Sequence, residues 1–200
     1  MPVVLGFLLG SIPSGLWLAR ARGVDLRAVG SGNIGATNVV RAMGPRWGAL
    51  VFALDVAKGS AAALVGGRLF GGGVPTALAA GAAAILGHVF SPWAGFKGGR
   101  GVATSLGVFL SILPVPALLA LAIWLALFAI TRRVSVGSLG AAIAYPFLVA
   151  WRAPRDGFRT AYLVAGILIA VLVVVRHIPN IRRLLAGTER PSFGRREAKS

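Results

Sequence analysis

The chain has no cysteine among its 200 residues, which excludes disulfides, thiolate metal sites and a cysteine nucleophile. Carboxylates are nearly as scarce: Asp25, Asp55, Asp156, Glu189 and Glu197 are all there are. No pair of them, and no carboxylate with a histidine, has the spacing of a metal site or a built-in Ser/His/Asp triad. There are two histidines, His88 and His177, and neither is followed four positions later by Asp. Charged residues of either sign make up only 13% of the chain, too few to coat a water-facing surface. With 56% hydrophobic side chains and a mean hydropathy of +0.81, both a soluble domain and a disordered chain are excluded. The sequence is that of an integral membrane protein.

What is present is small, bent and basic. The chain carries 28 glycines, many inside apolar stretches, and 11 prolines, which points to helices that pack closely and bend often. Its 21 Lys and Arg against five acids give a net charge of +16, an excess suited to cytoplasmic loops, anionic headgroups or anionic substrates.

Apolar runs mark candidate crossings of a hydrocarbon core about 30 Å thick. The first covers residues 2–19; basic residues follow it and none precedes it, the reverse of a cleavable signal peptide. The second, 47–67, contains Asp55 and Lys58, three apart on one helical face and expected to pair. The third is 74–90. The run 101–131 is too long for one span and is broken by Pro114 and Pro116, so it reads as a hairpin of two short helices. The first of these, at about 1.5 Å per residue, reaches only about 20 Å. Residues 134–151 and 160–175 complete an all-α, polytopic set of seven helices, some short or broken.

Counting cations supports seven crossings. Residues 20–47 hold five Lys or Arg, 97–100 two, 132–133 two and 176–200 seven. Seven spans put all of these on one side and leave Arg68, Arg152, Arg155 and Arg159 opposite, which predicts an N-terminus outside and a C-terminus in the cytoplasm. Residues 1–190 read as one membrane domain and 191–200 as a basic, flexible cytoplasmic tail.

Three connections on that side carry more chemistry than a turn requires. Residues 31–38, Ser-Gly-Asn-Ile-Gly-Ala-Thr-Asn, interleave glycines with Ser31, Asn33 and Asn38 and lead to Arg41. Glycine frees backbone amides to turn toward an anion and arginine grips phosphate bidentately, yet the stretch lacks a Walker ending and also fits a turn-rich connector. Gly87-His88 and then Lys97-Gly98-Gly99-Arg100-Gly101, with Thr104 three residues on, lie at the mouth of the short fourth helix, whose free amides suit phosphate. A tight hairpin with two topology-setting cations is the plainer reading. His177 and Asn180 sit three apart after the last span, so a short helical turn presents both the same way, to a phosphate or a hydroxyl. A basic helix terminus is the alternative there. Ser135 and Ser138 share this face and add a weak signal. Two glycine-and-cation clusters point to two phosphate groups, handled by an enzyme or by a transporter of a phosphorylated metabolite; transporters also use broken helices and anion-binding helix ends, but no motif is duplicated between the two halves.

Taken in order, residues 31–38 with Arg41, Asp55-Val-Ala-Lys58-Gly59, Gly87-His88-Val-Phe90 with residues 96–104, and His177 with Asn180-Ile-Arg-Arg-Leu184 resemble the bacterial acyl-phosphate:glycerol-3-phosphate acyltransferases of PlsY type. The resemblance runs from Gly10 to about Glu189. It implies a multi-pass enzyme of the bacterial inner membrane, its active site toward the cytoplasm. The implied reaction moves a fatty acyl group from acyl phosphate to the 1-hydroxyl of sn-glycerol 3-phosphate, giving lysophosphatidic acid and phosphate for phospholipid synthesis. It implies no metal, no cofactor, no nucleic acid and no obligate protein partner; the partners are the two substrates and membrane lipid. By position, Ser31 matches the family's serine at the acyl-phosphate site and Arg41 its glycerol-3-phosphate arginine. Arg100 stands where the family often has a lysine on substrate phosphate, and His177 and Asn180 match its acceptor-site pair. Gly32, Asn33, Asn38, Lys97, Gly98, Gly99, Gly101 and Thr104 complete the expected substrate-binding set, with the amides of residues 98–101 on the donor phosphate. A substrate phosphate is implied as the base. The acyl donor is a mixed anhydride with a good leaving group, so aligning two substrates and neutralising phosphate charge supplies the catalysis.

Overall fold

Proline, glycine and arginine punctuate the apolar runs, and the computed structural model, which describes residues 1–189, 191 and 192, turns those runs into ten α-helices without a strand among the described residues. They are α1 (Pro2–Ser11), α2 (Ser14–Arg20), α3 (Ala36–Met43), α4 (Pro45–Leu69), α5 (Gly73–Val89), α6 (Val102–Ile112), α7 (Pro114–Thr131), α8 (Val134–Arg152), α9 (Arg159–Arg176) and α10 (Ile178–Leu185). Among the described residues, six segments are long and apolar enough to cross a membrane: α1 with α2, α4, α5 with the turn after it, α7, α8 and α9; α6 is a shorter apolar helix beside them.

Two expectations need correction. The first span is not one helix. Pro13 has no N–H to donate and disfavours helix at the residue before it, so Ile12 swings to φ −58°, ψ 113° and the chain restarts at Ser14. The second half of the 101–131 hairpin is not short. Pro114 opens α7 in the first turn, where a missing N–H costs nothing, and α7 then runs 18 residues with Pro116 still in that turn.

Close approach follows from the small residues. A Cβ on Gly10 of α1 would run into the backbone of Ala84 on α5, one on Gly59 of α4 into the backbone of Thr104 on α6, and one on Gly107 of α6 into that of Val56. The expected Asp55–Lys58 pair forms, with Lys58 Nζ 2.7 Å from Asp55 Oδ1, and the same ammonium donates to the Ile12 carbonyl at 2.7 Å. Lys58 therefore satisfies the carbonyl that the break at Pro13 exposes. The hydroxyl of Ser91 donates to the Ser11 carbonyl at 2.5 Å, and the indole of Trp93 to the Ser11 hydroxyl at 3.0 Å.

The ends of α2, α5, α7 and α9, the starts of α4, α6 and α8, and the short helices α3 and α10 meet at one end of the bundle, which is where the cavity lies. The packed chain passes residue 190: Ser192 is buried, its amide donates to the Arg132 carbonyl and its hydroxyl accepts the Val134 amide, both at 2.8 Å. Of the tail expected over 191–200, residues 191 and 192 are described and Ser192 is held against the start of α8, and residues 193–200 lie outside the described residues. At the far end, Arg152 lies 4.9 Å over the Trp151 ring and Arg159 donates to the Ala150 carbonyl. Asp156 there accepts from the Phe158 amide and the Tyr162 hydroxyl.

Candidate active site

The site is assembled from three connections, each locked by hydrogen bonds that decide which polar atoms stay free. In the first, Asn38 on α3 is fully buried and acts as an internal staple: its Nδ2 donates to the carbonyls of Leu26 and Val29 at 2.9 and 3.0 Å, and its Oδ1 accepts the Ser31 amide at 3.0 Å. Asn33 Oδ1 accepts the Gly35 amide at 2.8 Å, closing an Asx turn into α3. That turn sets Ser31 and Arg41 on the cavity wall. Asn38, expected in the substrate-binding set, lines the cavity, with both of its amide donors committed to the loop. Gly32 shapes the same turn, at φ +65°, without lining the cavity.

In the second, the amides of Gly98 and Gly99 donate to the carbonyls of Val89 and His88 at 3.0 and 3.1 Å, which folds the loop back on the end of α5. Those two amides were expected on the donor phosphate, and the fold consumes them. The loop's free amides come later. Gly101, at φ +86°, caps α6, and the amides of residues 102–104 precede the first intrahelical bond, Ser105 N to Gly101 O. Arg100 and Gly101 line the cavity. Lys97 does not; it is exposed outside it, its carbonyl accepting from Arg27. Thr104 is fully buried against Gly59 and stays clear of the cavity as well.

In the third, Pro179 sits in the first turn of α10, His177 caps that helix, and His177 and Asn180 are both buried in the cavity wall. The residue that sequence reasoning missed sits here. Glu189, 9% exposed, accepts from Ser135 Oγ at 2.9 Å and Asn180 Nδ2 at 2.6 Å through Oε1, and from Arg183 Nε at 2.6 Å through Oε2. Its backbone carbonyl takes Arg133 Nε at 2.9 Å. One of only two acids in the basic stretch 176–200, placed just after Gly187, is the signal that marks it.

These contacts fix the chemistry of what remains. A carboxylate only accepts, so the amide nitrogen of Asn180 must face Glu189, which leaves Asn180 Oδ1 buried with no partner. His177 Nδ1 lies 2.8 Å from the Val173 carbonyl, which also only accepts, so the neutral ring carries its proton on Nδ1 and offers Nε2 as an acceptor. Burial, reinforced by nearby Arg100, pushes His177 down to about 4, so it is neutral at neutral pH. Burial is also the main force lowering Arg100, to about 10, with Arg183, Arg41 and Arg176 adding to it and Glu189 opposing; the guanidinium stays charged. Arg41 is lowered for the same first reason. For Glu189, burial alone would raise the carboxyl, but the hydrogen bonds from Arg183, Asn180 and Ser135 outweigh it and hold the group below the usual carboxylate range.

The result is a polar cavity of about 550 Å³ walled by Ser31, Arg41, Arg100, His177, Asn180 and Arg183. It shares Ala36, Thr37, Phe52, Val102, Trp124 and Ser138 with an apolar cavity of about 670 Å³ that runs into the bundle among α4, α6, α7, α8 and α9. No group of three or more metal-ligating side chains occurs among the described residues.

This multi-pass membrane protein thus sets an arginine-walled cavity beside an apolar one. The family model described as "Glycerol-3-phosphate acyltransferase" matches residues 1–187, and the chain belongs to that family. It is 49% identical over 187 residues to the glycerol-3-phosphate acyltransferase of Geobacter sulfurreducens, covering 92% of this chain and 93% of that one. To the Aquifex aeolicus enzyme it is 45% identical, covering 94% and 95%. The fold superposes on the crystal structure of PlsY (YgiH), an integral membrane glycerol 3-phosphate acyltransferase, in its glycerol 3-phosphate form. The TM-score is 0.87 at 44% identity, over 96% of this chain and 94% of that one. The lysophosphatidic acid form of PlsY matches with a TM-score of 0.86 at 41% identity and the same coverage.

Proposed function

We propose that the protein transfers a fatty acyl group from acyl phosphate to the 1-hydroxyl of glycerol 3-phosphate, at the cytoplasmic face of the bacterial inner membrane. One observation carries this: the polar and apolar cavities adjoin and share wall residues, which sets room for a phosphate and a polyol next to room for an alkyl chain. The division of polar atoms matches the acceptor. Three guanidiniums, from Arg41, Arg100 and Arg183, face a phosphate, while two acceptor atoms, His177 Nε2 and Asn180 Oδ1, suit the two glycerol hydroxyls. Ser31 and the free amides at the start of α6 face the donor phosphate, where the helix dipole favours an anion.

In the reaction, the 1-hydroxyl oxygen attacks the acyl carbonyl carbon, the carbon–oxygen bond to phosphate breaks, and its electron pair leaves with the phosphate. The hydroxyl proton passes to a phosphate oxygen, so no protein base is required. Arginines and amides neutralise the phosphate charges that would otherwise keep the two anionic substrates apart. The products are lysophosphatidic acid, whose chain remains in the apolar cavity, and inorganic phosphate.

The test is phosphate release. Purified protein given a synthetic acyl phosphate is expected to liberate phosphate only when glycerol 3-phosphate is added, with lysophosphatidic acid formed in equal amount. Movement of glycerol 3-phosphate across liposomes without that release would replace this reading with transport.

A further inference from the structure

We propose that the Phe109–Tyr145 pair is a floor that sets the acyl-chain length the protein accepts. The inference rests on the apolar cavity being the acyl-chain site, as proposed above. Residues of α3, α4, α6, α7, α8 and α9 line that cavity, and on α6, α7, α8 and α9 the lining ends at or against one buried cluster. The last lining residue is Phe109 on α6, Ala117 at the start of α7, Tyr145 on α8 and Gly166 on α9. Beyond those residues the interior is solid: Leu113, Val149 and Tyr162 are buried in one cluster with Phe109 and Tyr145.

The two rings close the bottom together. Their centroids are 4.4 Å apart with the planes tilted by 36°. Gly166 flanks the Tyr145 ring, and a Cβ there would stand 3.4 Å from both Cδ1 and Cε1, in ordinary van der Waals contact, so the gap beside the ring admits about a single methyl. The Tyr145 hydroxyl is buried with no hydrogen-bond partner, so packing and not a polar tether holds the ring. Adding one methylene beyond this floor means displacing an aromatic ring within a buried cluster.

The depth gives the scale. Val134 at the mouth and Tyr145 at the bottom lie on one helix, about 16 Å apart along its axis. An alkyl chain advances roughly 1.3 Å per carbon for a bond of about 1.5 Å, so about a dozen carbons span that depth. The competing path is sideways. Phe52 on α4 and Leu125 on α7 line the same cavity and are 41% and 53% exposed, so a chain bending between them would enter the bilayer and never meet the floor.

The experiment separates the two. A series of synthetic saturated acyl phosphates of increasing length, each with saturating glycerol 3-phosphate, is compared by kcat/KM in wild type, Tyr145→Ala and Ala141→Phe. Ala141 lines the cavity one helical turn above Tyr145 on the same face, so a ring there raises the floor by about 5 Å, or roughly four carbons. The floor predicts a wild-type decline of about tenfold or more beyond the optimum, in line with what a methylene too many costs in a closed apolar pocket. It also predicts an optimum shifted to longer chains in Tyr145→Ala and to shorter chains in Ala141→Phe. Superimposable profiles would overturn the proposal and send the chain out between α4 and α7. Should Tyr145→Ala fail to fold, Ala141→Phe alone decides, since it fills space without opening a cavity. Wild-type protein that releases phosphate from no donor of any length defeats the acyltransferase reading itself, whereas an active wild type with unmoved variants defeats only the floor.

Discussion

Glu189 shows how much of the site depends on one side chain that never needs to touch substrate. It orients Asn180, pins α10 to the start of α8 through Ser135, and restrains Arg183. Removing it leaves an unpaired buried amide and hydroxyl, so Glu189→Ala is expected to cost about 2–4 kcal/mol, read as a lower unfolding temperature in detergent. Glu189→Gln, which keeps the shape but can turn a donor toward Asn180, is expected to raise the KM for glycerol 3-phosphate more than it lowers stability. His177 gives a pH prediction. Its folded value of about 4 lies below the ordinary 6.5, so its contribution to stability is complete above 6.5 and is lost as pH falls through about 4. Ring NMR is expected to show His177 neutral from pH 8 to 5, and titration near 6.5 would remove the acceptor role given to Nε2. Arg41→Ala is expected to lose at least 100-fold in kcat/KM for glycerol 3-phosphate through a missing bidentate phosphate contact; unchanged turnover would refute its role. At this scale the sequence was only half legible. Residue type pointed to Ser31, Arg41, Arg100, His177 and Asn180, all of which reach the cavity, but type does not say which atoms are already bonded. That is why residue type does not reveal that the Asn38 donors and the amides of Gly98 and Gly99 are bonded within the protein, or that Glu189 organises a stretch that reads as topology.

Among the elements, the apolar runs were the most legible feature, because a membrane leaves the backbone little choice but helix. What the runs did not reveal is where a helix breaks without ceasing to cross. Pro13 stops α1, and the cost of the break is met by Lys58, 46 residues away in sequence, a partner no local pattern announces. The helix α3 was missed for another reason: eight residues hold barely two turns, too few for a clear period, and glycine and asparagine before it read as loop. The junction from loop to α6 allows a direct test. Gly101 sits at φ +86°, and a Cβ there would meet Ile85 and Val89 methyls at 3.3 Å. Gly101→Ala is expected to cost about 1–2 kcal/mol from the left-handed backbone alone. It should also raise the KM for acyl phosphate by displacing the amides of α6. Gly23, at φ +67° with open space around it, is the control: Gly23→Ala carries the backbone cost and leaves both KM values unchanged.

Across the whole molecule, the surplus of +16 is divided by the fold into two unequal groups. The end that holds the cavity gathers Arg20, Arg22, Arg27, Arg41, Arg46, Lys97, Arg100, Arg132, Arg133, Arg176, Arg182 and Arg183, while Arg68, Arg152, Arg155 and Arg159 stand at the other. Most of the first group lies outside the cavity wall, so topology accounts for the bulk of the charge and phosphate binding for a few members of it. The asymmetry sets the expected orientation, with the cavity end and C-terminus in the cytoplasm. A C-terminal reporter is expected to be active only in its cytoplasmic form, and activity only in the outer compartment would invert the assignment. The three arginines of residues 152–159 oppose this bias and none pairs with Asp156, which is taken up by Phe158 and Tyr162. Neutralising them as Arg152→Gln, Arg155→Gln and Arg159→Gln together therefore strengthens the positive-inside imbalance, and the same reporter should keep its sidedness. A chain that flips when those three charges are removed would show that they anchor the outer end, and that counting loop charges had given the right topology for the wrong reason.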